Sequence, residues 1–307
     1  MEDNALPARP NDIIGMPDVL NYLIRTSPVP DLPIVPGRLK LSTILPEKEW
    51  WRLYLNREDH PSAVSKIPLN PGSLYDTEKS PGFQESMLNA YRQVLDGDDF
   101  AALFNTATLT YDDYAQFYKL VTDKTTIKQR GPKDAIQFPI KPGIIAQDIS
   151  TEIVLDRPLL ADLNAKNPIS CLLRANPAGA GLCLVYTKMG DSPNLINEAF
   201  RLFRAEIGQA DRRRAQLHAI AKLIRFLHVL HTFSDGNGRL HVYFLLPRLL
   251  LQYGFGPPLR LGPCCSPDTL DGLFNGCFTL DQIVVFLWHA QQLPNATIED
   301  LDLSKVK

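Results

Sequence analysis

Two strongly apolar segments of the chain are separated by a short polar one, and this pattern constrains the fold more than any other feature. Residues 223–230 read LIRFLHVL and residues 244–254 read FLLPRLLLQYG, whereas residues 231–243 between them read HTFSDGNGRLHVY. Polar groups cost free energy when they are buried without hydrogen bonds. The fold must therefore bury both apolar segments and use the polar stretch either as an elaborate turn or as a functional site.

The segments on either side of the polar stretch have the periodicity of helices. Over residues 211–231 the polar side chains recur at spacings of four, four and three, at Arg214, His218, Lys222 and Arg225. This spacing predicts a helix that is solvated along one edge at its start and buried on all sides near its end. A second helix is predicted from Gly238 to Tyr253; Gly254 ends it and Pro247 kinks or splits it.

The rest of the chain indicates a mainly α-helical protein with one small β-hairpin. The first 48 residues are rich in proline, which favours an extended arm with a short helix near residues 19–24. Residues 56–82 are predicted to be loop-like, and the polar residues 123–149 to contain a soft boundary. The hairpin is predicted over residues 170–189. Further helices are predicted over residues 47–53, 84–95, 100–104, 111–122, 192–207 and 280–293.

We divide the chain into three parts on this basis. Residues 1–140 form a partly irregular, helical N-terminal region, residues 141–293 a compact domain that contains the polar stretch, and residues 294–307 a C-terminal tail. A polar segment with Gly-Pro and Pro-Gly steps marks the boundary between the first two parts.

Composition excludes some classes of function. The formal net charge is −2, so no overall positive field attracts nucleic acid. The longest apolar runs are too short to span a bilayer, and no secretory signal pattern opens the sequence. Five cysteines without regular spacing are typical of reduced thiols. We expect a cytoplasmic protein, or one delivered into a host cell by a specialised secretion system.

The polar stretch has the parts of an anion site. Gly236, Asn237 and Gly238 adopt positive φ at low cost, and consecutive amides in such a turn converge on a concavity that binds anions. The helix that follows adds its free first-turn N–H groups. Arg239 in that first turn opposes the helix dipole unless an anion is bound there. A phosphate chain satisfies all these groups.

Two further side chains would make this anion site reactive. Asp235 repels a phosphate unless a Mg²⁺ ion lies between them, and Mg²⁺ is commonly held by one or two carboxylates together with phosphates. His231, as a neutral imidazole, is placed to take a proton from an attacking hydroxyl. Phe233 is predicted to anchor the loop in the core.

Three other interpretations stay open at this point. Asp-Gly and Asn-Gly are common in plain turns. His228 and His231 share a helix face and with Asp235 would form a metal site, although His228 lies in the apolar part of its helix and fits a core histidine better. His241 faces either the cleft or the solvent.

The polar stretch resembles the signature of the Fic (Fic/Doc) family, H-x-F-x-[D/E]-[G/A]-N-G-R-x-x-R. Seven positions match it in order and spacing, namely His231, Phe233, Asp235, Gly236, Asn237, Gly238 and Arg239. The resemblance covers residues 170–292 and implies a helical Fic core with a β-hairpin flap near residues 182–188. Residues 1–140 resemble no family that we can name.

The resemblance also implies an activity. Members of the family typically transfer AMP from ATP to a hydroxyl of a Ser, Thr or Tyr of a target protein, and relatives transfer UMP or phosphocholine or phosphorylate. By position, His231 would be the general base and Asp235 the Mg²⁺ ligand. Gly236, Asn237 and Gly238 would hold the α-phosphate and Arg239 the further phosphates. The expected partners are a Mg²⁺-bound nucleotide, ATP or UTP, and a target protein, with host signalling proteins among the candidates.

This chain departs from the signature at two positions. Thr232 replaces the usual proline, and Val242 replaces the final arginine. In the family that arginine contacts the terminal phosphate and pairs with an inhibitory glutamate, for which this sequence has no good motif. The departures leave UMP or phosphocholine transfer open, as well as a catalytically silent binding module. Arg248 or Arg260 is a candidate substitute for the missing arginine.

Overall fold

The computed structural model describes most of the helical part of the chain. The described residues are 16–55, 60–74, 82–97, 107–122, 135–140, 170–175, 182–187, 192–259, 272–274 and 278–295, and only the backbone is described for residues 16–18, residue 60 and the three strands. The fold is mainly α, as the sequence predicts.

Eight α-helices are described within these ranges, together with shorter 3₁₀ and π segments. The α-helices are α1 (Met16–Thr26), α2 (His60–Lys66), α3 (Phe83–Ala90), α4 (Tyr111–Thr122), α5 (Ser192–Gln209), α6 (Arg213–Leu230), α7 (Leu246–Gln252) and α8 (Leu280–Ala290). The 3₁₀ segments are Leu41–Thr43, Glu47–Leu53 and Pro71–Ser73, and the π segments are Tyr91–Asp96 and Arg239–Leu245.

A three-stranded antiparallel sheet accompanies the helices. Its strands are β1 (Ala135–Ile140), β2 (Ser170–Ala175) and β3 (Leu182–Thr187), in the order β1-β3-β2. The pairing of β2 with β3 in antiparallel register, from Ser170 opposite Thr187 to Ala175 opposite Leu182, confirms the two strands predicted as a hairpin.

One loop prediction is wrong in part. Residues 60–66 are helical because Pro61 suits the first turn of a helix and Ala63 is fully buried. Residues 135–140 form β1, a strand that the sequence does not predict; it is an edge strand, and an edge strand tolerates its Pro139. The helix predicted over residues 100–104 lies outside the described residues.

One cluster of buried apolar side chains joins the N-terminal and C-terminal halves of the described chain. It includes Trp50 and Tyr91 from the first half and Leu227, Phe244 and Phe286 from the second. Helix α6 packs against α5 and α8, and α4 packs against α3 and α5. The polar stretch 231–243 therefore begins at the end of α6, where residues 223–230 are all buried, as its apolar sequence predicts. The division at residue 140 remains a prediction; β1 lies before it and pairs with β3 after it.

The proline-rich segment is an extended arm, as predicted. It crosses the start of α6, where the N–H of Arg213 donates to the carbonyl of Leu32 (3.0 Å), and then α7, where the N–H of Leu39 donates to the carbonyl of Leu251 (2.9 Å). The arm thus contacts the helices on both sides of the polar stretch. In the described part of the chain, no helix is long and apolar enough to cross a membrane.

Proline divides the helix that follows the polar stretch, as predicted. The π segment Arg239–Leu245 gives way to α7 next to Pro247, which has no N–H for the carbonyl of Tyr243 four residues earlier. The buried hydroxyl of Tyr91 donates to that carbonyl instead (2.8 Å). A side chain of the N-terminal region therefore satisfies a backbone group next to the candidate site.

The close approach of two backbone segments at Gly256 gives a test of the fold. A Cβ atom at Gly256 would lie 1.6 Å from the carbonyl oxygen of Gln292. Gly256→Ala must therefore separate the two backbone segments that are joined by the hydrogen bond from the N–H of Gln292 to the carbonyl of Pro257 (2.8 Å). We expect the free energy of unfolding in urea to fall by at least about 2 kcal/mol. Gly208→Ala is the matched control because a Cβ at Gly208 meets nothing within 4 Å in α5, and it should stabilise the protein by up to about 1 kcal/mol. Equal stabilities of the two variants would contradict this packing.

Candidate functional site

His231 ends helix α6 in a backbone conformation that residues other than glycine rarely adopt. Its φ is 48° and its ψ is 59°, and its N–H donates to the carbonyl of Leu227 (3.1 Å). The side chain is half-buried, with Nδ1 turned inward and shielded from solvent. Such strain is typical of functional positions because the surrounding structure must hold it.

Phe233 anchors the loop in the core, as predicted. The side chain is fully buried. Its ring stacks on Tyr118 at a centroid distance of 3.8 Å and on Tyr114 at 5.4 Å, both from α4. The aromatic stack fixes the loop against a helix of the N-terminal region. The sequence does not predict this contact, because the two segments are far apart in the chain.

The side chain of Asn237 closes the turn. Its Oδ1 accepts a hydrogen bond from the N–H of Phe233 (3.0 Å), and its Nδ2 donates to the carbonyl of Phe233 (2.7 Å). Only 1% of the residue is exposed. The sequence predicts that Asn237 contacts a phosphate. In the structure its side chain holds the turn instead, so the backbone N–H of Asn237 is the group that could bind a ligand.

Gly236 is required at its position for two reasons. Its φ of 77° lies in the left-handed region. A Cβ atom would also lie 2.8 Å from Cγ2 of Thr122 and 3.3 Å from Cε2 of Tyr118. The turn is therefore packed closely under α4, and a residue larger than glycine would push the two apart.

Asp235 is exposed at the tip of the turn. Its Oδ1 accepts a hydrogen bond from the N–H of Gly236 (2.7 Å), which orients the carboxylate. In the part of the chain that the structure describes, no group of three or more His, Cys, Asp or Glu side chains is arranged to hold a metal ion. A single exposed carboxylate fits Mg²⁺ that is shared with phosphate oxygens and water, but it does not fit a metal held by protein ligands alone.

Arg239 is half-buried in the first turn after the loop. Its guanidinium lies over the ring of Phe83, 4.7 Å from the centroid. Of the carboxylates that the structure describes, none forms an ion pair with Arg239 within 4 Å. The cation is thus held in place by an aromatic ring while its charge is left for an anion.

Three histidines converge beneath the loop. The ring of His228 lies 5.9 Å from the ring of His231 and 5.7 Å from that of His241, measured between centroids. Nε2 of His241 is 2.7 Å from the hydroxyl of Tyr114. His241 is completely buried, so the prediction that it faces the cleft or the solvent is wrong. His228 is a buried core histidine, as predicted.

Burial keeps the deeper two histidines neutral. It lowers the pKa of His228 to about 4. Burial also holds the pKa of His241 well below its usual range, and the neighbouring His228 and His231 lower it further. Burial raises the pKa of the Tyr114 phenol, an effect that the Thr232 hydroxyl partly offsets. The side of His231 that faces the core therefore meets neutral polar groups.

The position of the missing signature arginine lies inside the core. Val242 is 2% exposed, so a charged side chain there would be buried. Arg248, a suggested substitute, is also fully buried, and burial together with the nearby Arg38 lowers its pKa to about 8. Arg248 thus does not reach the surface at the loop, and Arg260 lies outside the described residues.

Burial divides the residues of the loop into two groups. The half-buried or exposed ones include His231, Asp235 and Arg239, the three that the sequence assigns to chemistry. The buried ones include Phe233 and Asn237, which hold the turn. The contributions of α4 are not predicted from the sequence. Their sequence signal is a set of aromatic residues at helical spacing, Tyr111, Tyr114, Phe117 and Tyr118, which does not identify the loop as the partner.

No family model matches this chain, and no curated protein matches it significantly. The functional interpretation therefore depends on the residues of the site and their geometry.

Loss of the Asn237 side chain should open the turn. Asn237→Ala removes both hydrogen bonds to Phe233 and leaves buried backbone groups unsatisfied, so the free energy of unfolding should fall by about 2–3 kcal/mol in urea titrations. The matched control is Asn197→Ala, which removes an exposed hydrogen bond to the N–H of Tyr111 (2.7 Å) and should cost about 1 kcal/mol or less. A smaller loss for Asn237→Ala than for the control would refute the role of Asn237.

The buried histidines predict a pH dependence of stability. The pKa of His228 is about 4 in the folded protein and 6.5 for an ordinary histidine, so the unfolded chain takes up the proton first as the pH falls. The free energy of unfolding should decrease from about pH 6.5 to pH 4, by up to about 3 kcal/mol from this residue, and the contribution of His228 should level off below pH 4.

His228→Leu should flatten this slope without abolishing it, since His241 still titrates. Urea unfolding at several pH values measures the slope, and the difference at pH 8 isolates any change in packing. An unchanged slope between pH 6.5 and 4 would show that His228 is not neutral in the folded protein.

Proposed function

We propose that this protein is a Fic-like nucleotidyltransferase. It transfers a nucleoside monophosphate, AMP from ATP in the leading case, to a Ser, Thr or Tyr hydroxyl of a target protein. The supporting observation is the burial pattern of the loop, in which His231, Asp235 and Arg239 reach the solvent while Phe233 and Asn237 hold the turn shut. A plain turn has no need of this division.

His231 is the general base of the proposed reaction. Its Nδ1 is enclosed by the protein, and we assign the proton transfer to Nε2. It takes the proton of the target hydroxyl as that oxygen attacks the α-phosphorus. A P–O bond forms to the target, the bond between the α-phosphorus and the bridging oxygen breaks, and pyrophosphate leaves with the bonding electrons. The proton stays on His231 until solvent removes it.

The other residues of the loop bind the charges of the nucleotide. The backbone N–H groups of the first helical turn, at Asn237 and Gly238, have no acceptor within a helix and suit phosphate oxygens. Arg239 lies on the same turn and is oriented by Phe83. Asp235 would hold Mg²⁺, which would neutralise the polyphosphate beside this carboxylate.

A second candidate is the same reaction with another donor. Val242 is buried where ATP-using relatives in the resemblance carry an arginine for the terminal phosphate, and the buried Arg248 does not replace it. A donor that makes no demand on that arginine, such as UTP or a diphosphate that carries choline, fits this site as well. Transfer of UMP or phosphocholine is therefore the alternative.

Label transfer distinguishes these activities. The full chain is incubated with Mg²⁺, a cell lysate and ATP or UTP labelled at the α-phosphate, or a choline-labelled diphosphate donor. We expect protein-bound label from one of these, at a rate that falls at least about hundredfold in His231→Ala because a general base contributes that much. The control is His289→Ala, a half-buried histidine on α8 whose ring forms a hydrogen bond with the carbonyl of Ser27.

Each contrary outcome has a definite meaning. Undiminished labelling by His231→Ala removes the assigned base. Label only from the γ-phosphate indicates a kinase. Absence of transfer from every donor, with nucleotide binding retained, indicates a catalytically silent binding module.

A further inference from the structure

Tyr118 of helix α4 lies directly against the turn. Its ring stacks on Phe233 at 3.8 Å with an interplanar angle of 22°. A Cβ atom placed on Gly236 would be 3.3 Å from Cε2 of this ring and 3.9 Å from its hydroxyl oxygen. The hydroxyl thus lies next to Gly236, in the part of the loop proposed to bind an anion.

The hydroxyl of Tyr118 forms no hydrogen bond with the described residues. Only 1% of the residue is exposed, yet its hydroxyl is not among the fully enclosed polar atoms that lack a hydrogen-bond partner. Among the described residues, however, none forms a hydrogen bond with this hydroxyl. Tyr114, one turn earlier on α4, shows the contrast, because its hydroxyl is 2.7 Å from Nε2 of His241. Within the described part of the structure, the polar end of Tyr118 is therefore suited to a bound group.

The charges around Tyr118 indicate what that group is. Burial raises the pKa of the phenol, the carboxylate of Asp235 raises it further and the guanidinium of Arg239 lowers it. The phenol thus stays protonated at neutral pH, as a hydrogen-bond donor near one anion and one cation. A ligand that accepts from both the phenol and the guanidinium is an oxyanion, and a phosphate oxygen next to Mg²⁺ also suits Asp235.

We infer that Tyr118 is a substrate-binding residue, whose hydroxyl donates a hydrogen bond to a phosphate oxygen of a Mg²⁺-bound polyphosphate held between Arg239 and the 236–238 turn. Helix α4 then belongs to the site, and the N-terminal region completes it. This inference rests on the proposed function in requiring a phosphate ligand at the loop, but it does not require that any group is transferred.

The test is binding to the full chain, measured by calorimetry with ATP and separately with inorganic pyrophosphate, each with Mg²⁺. Tyr118→Phe keeps the ring and its stacking on Phe233 and removes only the hydroxyl. We expect it to weaken the binding of both ligands about tenfold or more, because a hydrogen bond to a charged group is lost. Thermal unfolding should be unchanged. Tyr111→Phe, the same change at a half-buried position on the same helix, should bind both ligands like the unaltered protein.

The outcomes separate this inference from the proposed activity. Weaker binding of pyrophosphate by Tyr118→Phe supports the inference even if label transfer fails with every donor. Equal affinities of Tyr118→Phe and the unaltered protein overturn it even if transfer is observed. Failure of the unaltered protein to bind either ligand overturns it as well, since no polyphosphate site then exists at the loop.

Discussion

The stack of Phe233 on the tyrosines of α4 is the contact on which the candidate site depends. The turn from 231 to 238 has little apolar surface of its own, and its large apolar anchor in the core is the fully buried ring of Phe233. That ring lies between Tyr118 and Tyr114 at centroid distances of 3.8 and 5.4 Å. The two hydrogen bonds between Asn237 and the backbone of Phe233 then transmit this fixed position to the turn. The strained backbone of His231 lies two residues before this anchored ring, between the buried Leu230 and Thr232.

A second constraint comes from the polar groups beneath the loop. His228, His241 and Tyr114 are completely buried, and burial shifts their pKa values in the direction that leaves each of them uncharged. These uncharged polar side chains lie beneath the inner face of His231 and place no fixed charge beside it. In the proposed reaction this arrangement suits a residue that must take up a proton and release it again.

The site also draws on three separate parts of the chain. Phe83 of α3 orients Arg239, Tyr118 of α4 faces the turn, and Tyr91 donates to the carbonyl that Pro247 leaves without its usual donor. The N-terminal region, to which the sequence assigns no role, thus shapes the loop from several directions. Any regulation that moves α3 or α4 would change the position of Arg239 and of the Tyr118 hydroxyl together.

The sequence by itself determined the helices that flank the polar stretch and the residues of the loop. It also distinguished Phe233, as an anchor, from the residues that it assigns to chemistry. Apolar periodicity, Gly and Pro positions and the spacing of His231, Asp235 and Arg239 are local properties, and local sequence encodes them. Only the tertiary structure decided that Asn237 closes the turn with its side chain, that Val242 and Arg248 are buried, and that α4 lies over Gly236. Tyr118 is 118 residues before Gly236 in the printed sequence, and contacts at such separations depend on how helices pack, which no single segment specifies.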